Sequence, residues 1–470
     1  MEILHVAAEC YPVAKAGGLG DVVGTLPKYQ VGSGHIAKVV MPMYRTKFLL
    51  ENQWEVVHKG YTNLGTWWFN YTVIKEKTNK LGFDLYLVDI NGLLDREKIY
   101  GYDDDNERFT AFQIAVVDWI SAWSHRPDVV HVHDHHAGLI PFMMKYCYRY
   151  QHLSAVPTVL TIHNAQYQGW MGWDKTSYIP TFDRWKWGML DWQNNINPLA
   201  SAIKCAWKVT TVSWTYLDEL RQSANGLEAL FEYEKGKCVG ILNGIDTKVW
   251  DPASDHYITN HFTKSETAPG KAKNKILLCE RFGLDDKKPL IIFIGRLVGE
   301  KGADLLPQAI GDSFYYIGRK MNFLILGSGF PEVEGQLNQM KVLSQGDFNV
   351  FIGYDETLSH LMYAGADFIL MPSRVEPCGL NQMYAMRYGT IPMVRNTGGL
   401  RDTVIDFGDP GGYGIRFNNA VVGDITQAIW RAVELYGQRE KIEEIRGRMM
   451  EIDFSWETSV KHYLDLYESI

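Results

Sequence analysis

No C-x-x-C pair occurs in this chain of 470 residues; its six cysteines (Cys10, Cys147, Cys205, Cys238, Cys279, Cys378) are scattered. That spacing argues against a metal site or a redox dithiol and suits reduced thiols in a cytoplasmic protein. The chain also lacks any apolar run near the roughly 20 residues that a membrane helix requires. Its start has neither a basic segment nor a long apolar core, so no signal peptide is expected. Net positive charge is absent: the balance is −8, which is not built for nucleic acid or an acidic membrane surface. Internal repeats and low-complexity stretches are missing as well. No G-x-G-x-x-G follows a strand with an acid about 20 positions later, which removes the main signal for a nicotinamide-dependent dehydrogenase.

What is present is ordinary for a globular chain, 46% apolar and 22% charged, with 13% aromatic residues that suit carbohydrate stacking or plain packing. At this length two or three domains are expected. Short apolar runs alternate with helical patterns: Ile3–Ala8, Ala37–Met41, Leu85–Ile90, Val129–His133, Thr158–Ile162 and Val209–Val212, then Leu290–Ile294, Phe323–Leu326, Asn349–Ile352, Phe368–Met371 and Pro392–Val394. Continuous apolar strands separated by helices imply parallel sheets covered on both faces, an α/β architecture. The first series ends with Cys238 to Asp246, and a polar stretch follows, so a domain change is placed near 245. Val460, Tyr463, Leu464, Leu466 and Tyr467 lie at helical spacing and predict an amphipathic terminal helix.

Two strand ends carry most of the chemistry. After Phe368–Met371 comes Pro372-Ser373-Arg374-Val375-Glu376-Pro377-Cys378-Gly379-Leu380, with a helical pattern from Asn381 to Arg387. In an open α/β sheet ligands bind at the carboxyl ends of strands, and a carboxylate followed by backbone amides can grip a polar ligand. After Ile3–Ala8 comes Lys15-Ala16-Gly17-Gly18-Leu19-Gly20-Asp21, a glycine loop that could approach a phosphate or simply make a tight turn. It is not a Walker loop, because Lys15 precedes the glycines. Arg296 and Lys301 follow the strand Leu290–Ile294 and suit a departing diphosphate. Asn396-Thr397-Gly398-Gly399-Leu400 is a further glycine turn whose amides could meet a phosphate or position a nucleotide. His133, Asp134, His135, His136 and His163 fill neighbouring loops. With no further acid at metal spacing, hydroxyl recognition or structural hydrogen bonding is preferred to a metal. Trp170, Trp173, Trp185, Trp187 and Trp192 crowd one interrupted segment, which reads as a structured loop: a sugar-stacking surface or a local aromatic core.

In order and spacing these motifs resemble bacterial glycogen synthases and plant starch synthases, and the likeness runs nearly the full length. It includes Lys15–Val22, Asp105–Phe109, Asp128–Asp134, Thr161–Asn164 with Tyr167–Gly169, Lys208–Ser213, Leu242–Asp246, Gly295–Leu297, Glu300–Gly302, Glu376–Gln382, Thr397–Leu400 and Phe454–Trp456. The resemblance implies a GT-B fold: Rossmann-like domains 1–245 and 246–453 facing across a cleft, with 454–470 packing back on the first. It implies a retaining transfer of glucose from ADP-glucose to the nonreducing end of an α-1,4-glucan, without a metal or other cofactor. Carried over residue by residue, Lys15, Gly18, Arg296 and Lys301 would hold the diphosphate, and Glu376 would hold sugar hydroxyls and support charge on the ring. Cys378, Gly379 and Leu380 would present amides, Tyr354 would stack on the base, and Thr397 would help seat the nucleotide. His163, Asn243 and Asp134 would contact the donor glucose, with Asp21 in the same cleft. Glu376, Lys301, Arg296, His163 and Asp134 form the expected catalytic set. UDP-glucose as donor, or a silent glucan-binding protein, are the alternatives. Departures from the family pattern are Tyr384 where many GT-B enzymes have a second glutamate, His135 for tryptophan and Trp214 for proline. The segments Gln30–His35 and Gly169–Asn197 are divergent.

Overall fold

The computed structural model describes residues 1–344 and 346–470. Two compact units emerge: Met1–Leu242 with Trp456–Ile470, and Asn243–Ser455. No helix among the described residues is long and apolar enough to cross a membrane.

The first unit is built on a nine-stranded sheet. Its strands are β1 (Glu2–Val6), β2 (Ile36–Pro42), β3 (Trp54–Leu64), β4 (Trp67–Glu76), β5 (Asp84–Asp89), β6 (Val129–His133), β7 (Thr158–Ile162), β10 (Lys208–Thr211) and β11 (Cys238–Gly240), with β8 (Asp191–Trp192) and β9 (Asn195–Ile196) forming a separate ribbon. The sheet order is β11-β10-β7-β6-β1-β2-β5-β4-β3. The sheet is parallel as expected except at one edge, where β3 and β4 form an antiparallel hairpin that also pairs antiparallel with β5. Only Gly65 and Thr66 separate the two strands, and Gly65 adopts φ +60, a value that suits a two-residue turn. Their outer positions are apolar yet exposed (Val56, Tyr61, Trp67, Trp68), so no buried run marks them in the sequence.

The helix Gly18–Gly32 buries Leu19, Val22, Val23 and Leu26 at three- and four-residue spacing. Pro27 inside it cannot donate to the Val23 carbonyl, and the Cys10 thiol donates to that oxygen instead, at 3.7 Å. The terminal helix Trp456–Glu468 buries Trp456, Val460, Tyr463, Leu466 and Tyr467 in one cluster with Ile3, Val22, Leu26, Val129 and Val159. Burial of side chains this large stabilises the pairing by about 2 kcal/mol each.

The second unit holds a parallel sheet of β12 (Leu290–Ile294), β13 (Asn322–Gly327), β14 (Phe348–Ile352), β15 (Phe368–Met371), β16 (Ile391–Arg395) and β17 (Ile415–Phe417), in the order β14-β13-β12-β15-β16-β17. Chain direction across the sheet reverses between β12 and β15, and in the first unit between β1 and β6. At such switch points the loops leaving two adjacent strands part and leave a crevice at their carboxyl ends. Glu376, Lys301, Asp134 and the Lys15 loop all sit on loops of this kind.

Candidate active site

In the second unit, pairing of β12 with β15 brings their following loops together. Lys301 Nζ lies 2.7 Å from both carboxylate oxygens of Glu376, and Ser373 Oγ donates to Oε2 at 2.8 Å. Glu376 is only 6% exposed, so its charge is balanced by the ammonium rather than by water. Arg374 locks the same two loops: it reaches Asp304 with two bonds of 2.6 and 2.9 Å and the Gly299 carbonyl at 2.6 Å. Its backbone N–H donates to Glu300 O at 2.8 Å. Arg296 is turned to Glu300, 3.4 Å away, and more than half of its side chain is exposed. Lys301 thus has a fixed carboxylate partner, whereas Arg296 keeps most of its donors in water.

The glycines of the Thr397 turn make a close backbone contact. Gly399 N–H donates to the carbonyls of Glu376 and Pro377, at 3.1 and 3.2 Å. A Cβ on Gly398, where φ is +45, would lie 2.0 Å from Glu376 O, and one on Gly399 would lie 1.9 Å from Cys378 O. These glycines are therefore required so that one backbone can lie directly under the Glu376 loop. Thr397 is buried beside them. Gly379 takes φ +74 and leads through Leu380 into the helix Asn381–Arg387. Cys378 is buried, and burial pushes its thiol up to about 12, which keeps it protonated and unsuited to act as a nucleophile. Asn243 is buried with Oδ1 lacking any hydrogen-bond partner, an acceptor left open. Tyr354 is 80% exposed. Tyr384 stacks on Trp250 at 3.8 Å, and Trp250 stacks in turn on His360 at 3.8 Å, so the residue in the second-glutamate position is part of an aromatic pile.

In the first unit, Glu9 is the residue that sequence reasoning missed. It is buried and accepts from Ala16 N–H at 2.6 Å, Gly17 N–H at 2.9 Å and Tyr100 O–H at 2.6 Å. The glycine loop's first amides are therefore satisfied by a protein carboxylate. Lys15 Nζ pairs with Asp21 at 2.7 Å, and a Cβ on Gly18 would meet nothing within 4 Å, so that side of the loop is open. A lone acid between Ala8 and Cys10 carries no motif, and Tyr100 lies 91 residues away, so no local signal could have found the pair.

Asp134 follows β6 with φ 54 and ψ −171, a region nearly reserved for glycine and costing about 1–3 kcal/mol. Its Oδ1 accepts the N–H of His163 at 2.7 Å and of Asn164 at 3.4 Å. Burial nonetheless raises its carboxyl to about 7, because two backbone donors only partly replace lost water. His163 is buried and held neutral, near 3, by the same desolvation. Its ring joins that of His133, Nε2 to Nδ1, at 3.0 Å. The His135 ring lies tilted against that of His136, and His136 stacks on Tyr100. His5, His131 and His133 place ring nitrogens within 4.8 Å of one another, which sequence spacing could not reveal because His5 is on a different strand.

The tryptophan-rich segment divides in two. Trp173 Nε1 donates to Asp191 and Trp192 Nε1 to Gly226 O, both at 2.8 Å, as parts of the loop's own scaffold. Trp170, Trp185 and Trp187 are exposed.

Residues 2–233 match the starch synthase catalytic domain family and residues 277–446 the glycosyl transferases group 1 family. The chain is 55% identical to a glycogen synthase of Flavobacterium johnsoniae over 100% of this chain and 99% of that one. It is 39% identical to a glycogen synthase of Streptococcus pneumoniae over the whole of both chains. Among solved structures it is similar to the catalytic domain of starch synthase IV from Arabidopsis thaliana, bound to ADP and acarbose, with a TM-score of 0.89, 31% identity, and coverage of 100% of this chain and 99% of that one. The chain therefore belongs to the glycogen and starch synthase family, glucosyltransferases of the GT-B fold with two Rossmann-like parallel-sheet domains.

Proposed function

We propose that this chain transfers glucose from ADP-glucose to the nonreducing end of an α-1,4-glucan with retention at the anomeric carbon. The observation that carries the reading is the Lys301–Glu376 pair, a fixed cation beside a buried carboxylate at a switch-point crevice. Lys301 and the exposed guanidinium of Arg296 take the diphosphate's charge as it leaves, and Lys15 and the open side of Gly18 serve its other oxygens. Glu376 accepts from sugar hydroxyls and stabilises positive charge on the ring. The open Asn243 Oδ1, with His163 and Asp134, contacts the glucose, and Asp21 orients Lys15. Tyr354 stacks on the base, while Cys378, Gly379, Leu380 and Thr397 shape the floor beneath the sugar and phosphate. ADP in the starch synthase IV structure supports adenine as that base.

The bond from C1 to the diphosphate oxygen breaks, and the acceptor's hydroxyl oxygen bonds to C1 on the same face. The proton released from that hydroxyl passes to the departing phosphate oxygen. No second carboxylate beside Glu376 offers a nucleophile among the contacts described, and Cys378 is held as a buried thiol, which supports this front-face route over a covalent intermediate. No metal is assigned a step, since cations of the chain itself take the leaving-group charge. The test is turnover with ADP-glucose beside UDP-glucose on glycogen, followed by digestion of the labelled product with an exo-acting amylase specific for α-1,4 links. Faster transfer from ADP-glucose and complete release of label support the reading. Preference for UDP-glucose, or label that resists digestion, overturns it.

A further inference from the structure

One face of the first unit's sheet carries a buried polar stripe. His5 on β1 is registered opposite His131 on β6, His133 opposite Thr161 on β7, and Thr161 opposite Thr210 on β10. His5, His131, His133, Thr161 and Thr210 are all fully buried. Polar groups in such a place are costly unless each is hydrogen-bonded, and here they form one continuous chain. His163 Nε2 meets His133 Nδ1 at 3.0 Å, and His133 Nε2 meets His5 Nδ1 at 3.1 Å. His5 Nε2 meets Gln30 Oε1 at 2.8 Å, and Gln30 Nε2 donates to Tyr467 Oη at 3.2 Å. Tyr467 Oη meets His131 Nδ1 at 2.6 Å, His131 Nε2 meets Thr161 Oγ1 at 2.6 Å, and Thr161 meets Thr210 Oγ1 at 2.6 Å. All six ring nitrogens of His5, His131 and His133 are thereby used, so a metal ion there would have to displace bonds already made.

Donor bookkeeping leaves the chain little freedom. Desolvation keeps the four rings neutral, with His5 lowered to about 4, His163 to about 3, and His131 and His133 well below the usual range. A neutral imidazole has one N–H and one bare nitrogen. The Gln30 carbonyl oxygen can only accept, so His5 carries its proton on Nε2 and accepts on Nδ1. His133 must then donate from Nε2 and accept on Nδ1, and His163 must donate from Nε2. On the other branch the Gln30 amide donates to Tyr467, whose hydroxyl donates to His131 Nδ1, leaving the proton of His131 on Nε2 for Thr161. All four rings share the Nε2–H form. Turning the Gln30 amide over reverses every bond and converts all four to Nδ1–H. These are the two fully satisfied arrangements.

We propose that Gln30 is a positioning residue for His163: the orientation of its amide imposes one shared tautomer on the four histidines and leaves His163 Nδ1 bare, as an acceptor for a hydroxyl of the donor sugar. The last clause rests on the role given to His163 above; the shared tautomer does not. Gln30 lies in the helix Gly18–Gly32, well away from the reacting groups in sequence, and acts only through His5 and His133.

Histidine ring 15N spectra of the full chain without ligand test the tautomer directly, since protonated and bare nitrogens resonate apart; loss of a signal in His163→Gln assigns that ring. The wild-type chain is expected to show Nε2–H in all four, and a mixture of forms among them would overturn the proposal without any variant. In Gln30→Met the chain loses its fixed end, and His163 is expected to populate both forms. Gln30→Glu keeps an acceptor facing His5 and is expected to retain Nε2–H at His163. An unchanged His163 in Gln30→Met would overturn the role of Gln30. In kinetics, KM for the nucleotide-sugar should rise about two- to fivefold in Gln30→Met, the scale of one weakened neutral hydrogen bond, with recovery in Gln30→Glu. A released tautomer with unchanged KM would overturn the sugar-hydroxyl role of His163 and leave the shared chain standing.

Discussion

Asp134→Asn should make the protein more stable at neutral and alkaline pH while removing most of its activity. The Asp134 carboxyl is raised from its ordinary 3.8 to about 7, first by burial. Below about pH 4 it is protonated in both folded and unfolded chains and contributes no pH dependence. Between about 4 and 7 the unfolded chain loses this proton and the folded one keeps it, so stability falls as pH rises. Above 7 both are ionised and the full penalty is present. That rise corresponds to a penalty of about 4 kcal/mol as a ceiling. The asparagine retains an acceptor for the N–H groups of His163 and Asn164 and differs from the aspartate in no backbone atom. Urea midpoints for both proteins from pH 4.5 to 8.5 provide the assay. The variant should gain on the wild type as pH rises, levelling off above 7, while turnover falls because the sugar contact loses its charge. Parallel midpoints across the whole range would refute the argument.

Gly399→Ala should lower turnover at least about tenfold and destabilise the second unit by several kcal/mol, because its methyl would meet the Cys378 carbonyl at 1.9 Å and backbone must move; steady-state kinetics and denaturant melts check both. Lys301→Met leaves the buried Glu376 carboxylate with the Ser373 hydroxyl as its one side-chain partner among the described residues, so a stability loss of about 3 kcal/mol should accompany the loss of transfer; a variant that melts like the wild type would contradict the pairing. Tyr354→Ala, at an exposed ring, should leave melting unchanged and raise KM for the nucleotide-sugar about tenfold, read from initial rates.

The buried parallel strands were legible in the sequence because strands covered on both faces must be continuously apolar, as Leu290–Ile294 and Phe368–Met371 are. The hairpin β3–β4 was not, since its exposed Tyr61, Trp67 and Trp68 blur the alternation that marks a half-buried strand. The Glu376 loop was legible as a strand-end carboxylate followed by a helix. Its tie to Lys301 depends on β12 and β15 lying side by side, which no local pattern reports. The glycines of the Thr397 turn were visible, but a Gly-Gly after a strand serves a phosphate or a close backbone contact equally well, and the structure uses them for the contact with Glu376 and Cys378. Glu9 and Gln30 stayed hidden because their meaning comes from partners far along the chain: Tyr100 for one, His5 and Tyr467 for the other.

The most direct test of the central claim is incorporation of label from ADP-glucose into glycogen by the wild-type chain and by Glu376→Ala, with glycogen binding measured on both. Transfer by the wild type, reduced at least about hundredfold in the variant while glycogen binding is retained, is the predicted result. Equal transfer by the two proteins, or glycogen binding without transfer by the wild type, would contradict it.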